Sequence, residues 1–323
     1  MISPVFILSA PRSGSTLLQR VLATHPEIAT VSESHLLLPF LYPLRRRGVY
    51  AEYDHKYTQR GFQSLIAEMR GGEAEYLAAL RELALRLYGQ AADPDARYFL
   101  DKAGALSLVV DELFAMFPDG KFIFLWRNPL SVVGSLMRTW RGGRWNLHEH
   151  EVYLFRGTPG LVDAYRSREP AVLGIRYEDL VDRPETVTAR IFTYLDLAPG
   201  DANIEEFAGI TLSGGLGDEP GMRAYGNISK APLEKWKDTL ANPLRKAWCR
   251  RYLEFLGRDR LAIMGYPLDE LLLELSNLPF SSRFLASDLV RMPYAALFKL
   301  FEGRILRDKL DDLRNGRRIY LHH

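Results

Sequence analysis

A chain of 323 residues, 47% hydrophobic and 25% charged, has the composition of an ordinary soluble globular protein and is slightly longer than one hydrophobic core usually spans. Its single cysteine, Cys249, excludes an internal disulfide framework and any multi-cysteine metal site. With 42 basic and 40 acidic residues the net charge is +2, too even for a nucleic-acid binder, so a strongly anionic ligand must be held by placed groups.

The chain enters Val5-Phe6-Ile7-Leu8 at once, a short apolar run that predicts a strand. No basic leader precedes it, and no stretch approaches the roughly 20 apolar residues of a membrane helix. The expected location is therefore cytoplasmic. Ser9 to Thr16 is a turn rich in Ser and Gly, followed by Leu17, Leu18, Val21 and Leu22 at helical spacing. Glu27–Val31 is a candidate second strand, Tyr76–Leu87 a helix, Tyr98–Leu100 a weak strand and Leu106–Phe117 a helix. Lys121–Trp126 is the clearest strand. Asn128-Pro129 then supplies an N-cap and a first-turn proline for a helix to about Arg138. Ala171–Arg176 and Pro184–Leu195 repeat the strand-helix pattern. Gly209–Gly226 holds six glycines and reads as a long loop of the lid or binding kind, and from about Leu240 the sequence is mostly helical.

Strands alternating with helices predict an α/β fold with a central parallel sheet in three α/β/α layers, with additional C-terminal helices. Ligands of such sheets bind beyond the carboxyl ends of the strands. The functional polar residues should then lie just after Leu8, Leu100, Trp126 and Arg176.

Two anion sites stand there. Arg12, Ser13, Gly14, Ser15 and Thr16 join a strand to a helix N-terminus, where backbone N–H groups converge on an anion. The Gly-Lys pair of a Walker A loop is missing, and Arg12 carries the charge instead, which disfavours magnesium-dependent kinase or ATPase chemistry. Arg127 closes the best strand at a helix N-terminus, and Ser135 lies about two turns further on. An ordinary capped helix and an arginine that merely ends a strand are the plainer alternatives. Together, two such sites after two strands suggest a ligand with phosphates at both ends.

Pro11-Arg12-Ser13-Gly14-Ser15-Thr16-Leu17-Leu18 resembles the 5′-phosphosulfate loop of sulfotransferases that use 3′-phosphoadenylyl sulfate (PAPS). Arg127 with Ser135 resembles their 3′-phosphate site. Arg176-Tyr177-Glu178-Asp179-Leu180-Val181 and Leu233-Glu234-Lys235-Trp236 resemble two further blocks, in family order, so the likeness spans roughly residues 4 to 240. It implies a P-loop-like fold, PAPS as donor, 3′-phosphoadenosine 5′-phosphate (PAP) as product and no required metal. It further implies a cofactor-binding core over residues 1–240 and a helical extension over 241–323. Arg12 and residues 13–16 would hold the phosphosulfate, Arg127 and Ser135 the 3′-phosphate, Tyr177 would lie by the adenine, and Lys235 would approach from the Gly-rich side. Lys102 matches the family lysine that meets the transferring group, where it or Arg12 would stabilise the departing oxygen.

The base is the main departure from the family. Animal cytosolic members place a histidine two residues after that lysine, but here the position is Gly104. Glu33 takes its place by similarity to tyrosylprotein sulfotransferases. His35 and a residue within 140–156 are the alternatives, and a carboxylate base near neutral pH needs its pKa raised by burial. Glu33-Ser34-His35-Leu36-Leu37-Leu38-Pro39 also resembles sulfotransferase domains of bacterial polyketide chain termination, which suggests an apolar hydroxylated acceptor. Small-molecule, lipid, glycan and carrier-bound acceptors, and peptide tyrosine, all stay open. Trp140–Phe155 mixes aromatic and basic residues and could border the acceptor pocket. The rivals are a nucleotide or small-molecule kinase and an inactive nucleotide-binding protein of the same fold.

The positive charge sits in the tail. Arg283–His323 carries nine Lys/Arg and five Asp/Glu, against 33 basic and 35 acidic residues in the first 282. Leu289–Leu313 alternates apolar and basic residues, consistent with internal packing, a homodimer contact or peripheral contact with an anionic membrane.

Overall fold

Apolar side chains alternate along each strand, and both faces of the sheet are covered. The protein, a computed structural model, describes residues 2–31, 37–41, 55–210 and 230–301, with positions 306, 307, 310 and 314. Five strands, β1 (Ser3–Leu8), β2 (Ile28–Thr30), β3 (Tyr98–Asp101), β4 (Lys121–Trp126) and β5 (Leu173–Arg176), form one sheet in the order β2-β3-β1-β4-β5. Every pairing is parallel. Val5 and Ile7 of β1 face one core, with Leu17, Leu18 and Val21 of α1 (Ser15–Leu22) and Ile191 and Phe192 of the helix Pro184–Tyr194. Phe6 and Leu8 face the other, with Tyr88, Leu113, Leu130 and Leu161 from helices on the opposite side. The result is three layers, helix on sheet on helix, as the strand-helix alternation predicts.

Connections leave β1 toward β2 and leave β4 toward β5, so the order reverses between β1 and β4. A crevice opens at that switch point, beyond the carboxyl ends of the two strands. It falls between the Arg12–Thr16 turn and Arg127.

Lys121–Trp126 forms the strand its sequence predicts. Asn128 Oδ1 accepts a hydrogen bond from the Leu130 amide at 2.9 Å, capping the next helix. That helix, Pro129–Arg141, runs three residues past the predicted end because its stop is Gly142 in the left-handed region at φ 58°. The single helix expected over Leu106–Phe117 is instead a 3₁₀ turn, Gly104–Leu108, and a short helix, Val110–Met116. Ser107 explains the break. Its hydroxyl donates to the Gly104 carbonyl at 2.7 Å, closing a tight turn at the start of the segment. The turn packs against a π-helical segment, Tyr153–Gly157, where a Cβ on Gly157 would lie 2.8 Å from Ser107 Oγ. Of the glycine-rich loop, residues 211–226 lie outside the described residues.

The C-terminal helices are laid on this frame. Ala231–Leu240 runs against Pro129–Arg141, with Gly134 so close to Trp236 that a Cβ would sit 2.9 Å from the Trp236 Cβ. Pro243–Ile263 is broken at Gly257 (φ 79°), and Leu268–Asn277 and Leu285–Phe301 follow. The last helix is fixed by Asp288. Its carboxylate takes hydrogen bonds from Arg245 Nε at 2.6 Å, Arg245 Nη2 at 2.9 Å and Asn242 Nδ2 at 2.7 Å, all buried. Among the described residues no helix is long and apolar enough to cross a membrane.

Candidate active site

The turn after β1 is built from two left-handed residues. Arg12 has φ 69° and Gly14 φ 93°, on either side of buried Ser13. Such a path turns successive N–H groups to one side. Gly14 is also the N-cap of α1, and no side chain caps it among the described residues. The first amides of that helix thus remain available to an anion. Only glycine fits: a Cβ here would lie 2.2 Å from Tyr177 Cδ2, in addition to the strain of positive φ.

Arg127 faces this turn from the end of β4. It is 4% exposed, and its Nη1 donates to the Arg12 carbonyl at 2.7 Å while Nη2 reaches the Pro232 carbonyl at 3.4 Å. Its Nε is buried with no hydrogen-bond partner among the described residues. Arg12 Nε in turn donates to Ser135 Oγ at 3.3 Å. The two anion sites read separately from the sequence are therefore one connected cluster across the β1–β4 crevice. Tyr177 lies beneath it, fully buried, with the Arg127 guanidinium 4.4 Å from its ring centroid. The ring is wedged between Gly14 and Arg127 and supports the turn.

Arg138 belongs to the same cluster and was not singled out by sequence. Burial, then the positive charges of Arg127 and Arg12, pulls its pKa below the usual arginine value. Its Nη1 donates to Thr239 Oγ1 at 3.1 Å. A signal for it existed: position 138 is three residues after Ser135, one turn along the same helical side.

Lys102 comes in from the neighbouring strand. It is buried at the end of β3, and its Nζ donates to Thr16 Oγ1 at 3.4 Å. Behind it, the Tyr88 hydroxyl donates to Asp101 Oδ2 at 2.5 Å. Burial first, then the Asp101 carboxylate, holds the Tyr88 phenol well above its ordinary pKa. Gly104, where a histidine is absent, presses on the turn: a Cβ there would be 3.1 Å from Pro11 Cγ. A larger residue at 104 would push on Pro11 and the anion-facing turn behind it.

Glu33 and His35 lie outside the described residues. Just before them, Gln19 Nε2 donates to Thr30 Oγ1 at 2.7 Å and to the Val31 carbonyl at 2.6 Å, tying the end of β2 to α1. Lys235 is exposed, bordering an open cavity of about 340 Å³ with Arg138, Gly142, Thr239 and Phe284. Within the 140–156 segment, Trp145 and Phe155 turn to the C-terminal helices, while Trp140 is 52% exposed. Trp145 is buried edge-on to Trp248 (5.4 Å between centroids), and Phe155 packs on Trp248, Tyr252 and Phe255. His150 Nε2 lies 3.4 Å from Asn146 Nδ2. Among the described residues no three His, Cys, Asp or Glu side chains are grouped to hold a metal ion.

The parallel α/β sheet thus carries, at its switch point, a cationic crevice beside a helix N-terminus that no side chain caps among the described residues. The family model described as "Sulfotransferase family" matches residues 4–201, and the chain belongs to that family. Nodulation protein NoeE of Sinorhizobium fredii (strain NBRC 101917 / NGR234) is 26% identical over 289 residues, covering 81% of this chain and 65% of that protein. Protein-tyrosine sulfotransferase 2 of Gallus gallus is 22% identical over 271 residues, covering 81% and 66%. The chain thus spans slightly under two thirds of the length of these two relatives. In fold it is similar to the sulfotransferase domain from the curacin biosynthetic pathway, with a TM-score of 0.52 and 23% identity over 82% of this chain and 98% of that one.

Proposed function

We propose that the chain transfers the sulfuryl group of PAPS to an acceptor hydroxyl, releasing PAP, on a P-loop-like fold whose cofactor core spans residues 1–240. The observation that carries this reading is the joined Arg12–Ser135–Arg127 cluster, with a buried Arg127 Nε left for a ligand. A bisphosphorylated nucleotide fits the donor set: charge at both ends and a glycine cradle that a Cβ would fill.

In this reading the amides of residues 13–16 and Arg12 hold the 5′-phosphosulfate. Arg127 and Ser135 hold the 3′-phosphate, with Arg138 adding charge behind them and Lys235 closing from the outer helix. Tyr177 keeps the turn in shape from below. The bound donor supplies a sulfuryl group joined through an oxygen that leaves with the phosphate. Lys102, anchored on Thr16, and Arg12 stabilise the negative charge that grows on that oxygen. Glu33 accepts the proton of the attacking hydroxyl, with His35 as the alternative carrier of that role and a residue within 140–156 after it.

Calorimetric titration with PAP, ATP and adenosine 5′-phosphosulfate tests the donor assignment. Tight binding of PAP alone is expected, and equal or tighter binding of ATP overturns it. Glu33→Gln and His35→Ala compared at saturating donor test the base. Loss of turnover with retained PAP binding in the first and not the second is expected, and near-normal turnover of Glu33→Gln overturns that assignment.

A further inference from the structure

We propose that the outward face of the helix Leu285–Phe301 is a docking surface for an anionic lipid bilayer. The helix is held from one side only. Asp288 is locked to Arg245, and Ala295 is buried two turns later. The opposite side carries Val290, 71% exposed, Leu289, 61%, and Leu297, 55%, with Tyr294 beside them. Positions 289, 290, 294 and 297 share one helical face, and beyond it Leu306 and Leu310 are also exposed. Scattered apolar residues on a surface need no explanation, but a continuous stripe marks an interaction site.

Charge chooses the occupant. Arg283–His323 holds nine Lys/Arg against five Asp/Glu in a chain that is otherwise slightly acidic, and one of the five, Asp288, is already neutralised inside the protein. Arg291 lies within the stripe's helix and Arg307 is exposed beside Leu306. Apolar residues flanked by arginines match a bilayer with anionic headgroups, where the stripe enters the acyl boundary and the arginines stay at headgroup level. A second copy of the chain fits less well. A two-fold contact through this face would set two copies of the same net-basic segment against each other.

Sedimentation of the full chain with lipid vesicles tests the surface, independently of any donor or acceptor. The chain should bind phosphatidylcholine–phosphatidylserine vesicles about tenfold better than pure phosphatidylcholine vesicles, and raised salt should weaken that binding. A Leu289→Ser/Val290→Ser/Leu297→Ser variant should lose at least about tenfold. Arg291→Gln/Arg307→Gln should remove most of the preference for phosphatidylserine, and Val290→Trp should strengthen binding severalfold, which keeps the test decisive if the triple variant folds poorly. Equal binding to both vesicle types, no binding to either, or a Val290→Trp variant that binds no better overturns the proposal. So does a dimer at micromolar concentration that the triple variant abolishes, since the second copy is then the occupant.

Discussion

Two buried arginines, one in the crevice and one in the C-terminal helices, show how differently this chain treats the same side chain. Arg245 is 0% exposed and its guanidinium is used up: two nitrogens meet Asp288 and Nη1 donates to the Thr239 carbonyl at 2.8 Å. Arg127 is nearly as buried, yet its described partners are two neutral carbonyls, and its Nε has none among the described residues. A buried cation is stable only when compensated. Arg245 finds its compensation inside the protein and serves as a clamp. Arg127 has no carboxylate partner among the described residues, and its compensation is what the proposed anionic donor would supply. Burial alone therefore does not separate structural from functional arginines; the charge of the partners does.

The largest expected effect breaks the clamp. Arg245→Ala leaves Asp288 buried without its partner and should cost about 3–5 kcal/mol of unfolding free energy, read by denaturant melts. The paired Arg245→Met/Asp288→Leu variant should recover most of that loss, because neither buried charge then remains. Recovery with Arg245→Ala alone would show the pair to be incidental. Arg127→Ala should behave in the opposite sense. It should lower PAP affinity by about a hundredfold, close to 3 kcal/mol, while leaving the melting transition within a few degrees of the parent. A large fall in stability with unchanged PAP affinity would place Arg127 with Arg245 as a structural group.

Gly14 tests the geometry between these two extremes. Gly14→Ala adds a methyl group that meets the Tyr177 ring and forces a side chain into positive φ. We expect a loss of about 1–3 kcal/mol, shared between stability and PAP binding. Tyr177→Ala combined with Gly14→Ala should relieve the steric part and leave the backbone part, so the double-mutant cycle will be non-additive.

The sequence alone carries those features that are local. Lys121–Trp126 is legible because an apolar run is bounded by Pro118-Asp119-Gly120 and by the Asn128-Pro129 cap. The glycine at 14 and the arginines at 12 and 127 are legible because strand ends and helix starts announce themselves. What joins them is not. Arg12 and Ser135 are 123 residues apart, and their hydrogen bond exists only because β1 and β4 are neighbours in the sheet. The break at Val109 has a local cause, the Ser107 hydroxyl bonded to the Gly104 carbonyl, but a serine in an apolar run does not by itself announce a turn. Within 140–156, Trp145 and Phe155 are taken up by the C-terminal helices, whose position no local pattern reveals, while Trp140 stays exposed.

The smallest effect concerns the support behind Lys102. Tyr88 is neutral and buried, donating to Asp101, with its pKa held well above 10. In the unfolded chain the phenol titrates near its ordinary value of about 10. Below that pH both states keep the proton and the hydrogen bond contributes fully. As pH rises past it, the unfolded chain releases the proton while the folded chain retains it, so stability falls by up to about 1.4 kcal/mol per pH unit. Tyr88→Phe should cost about 1–2 kcal/mol at neutral pH, because Asp101 loses a buried donor, and should flatten this alkaline decline. Asp101 ends β3 and Lys102 follows it directly, so a slackened Asp101 should also lower kcat modestly while leaving PAP affinity unchanged. An alkaline stability profile identical in the parent and in Tyr88→Phe would show that some other group carries the decline and that Tyr88 is only packing.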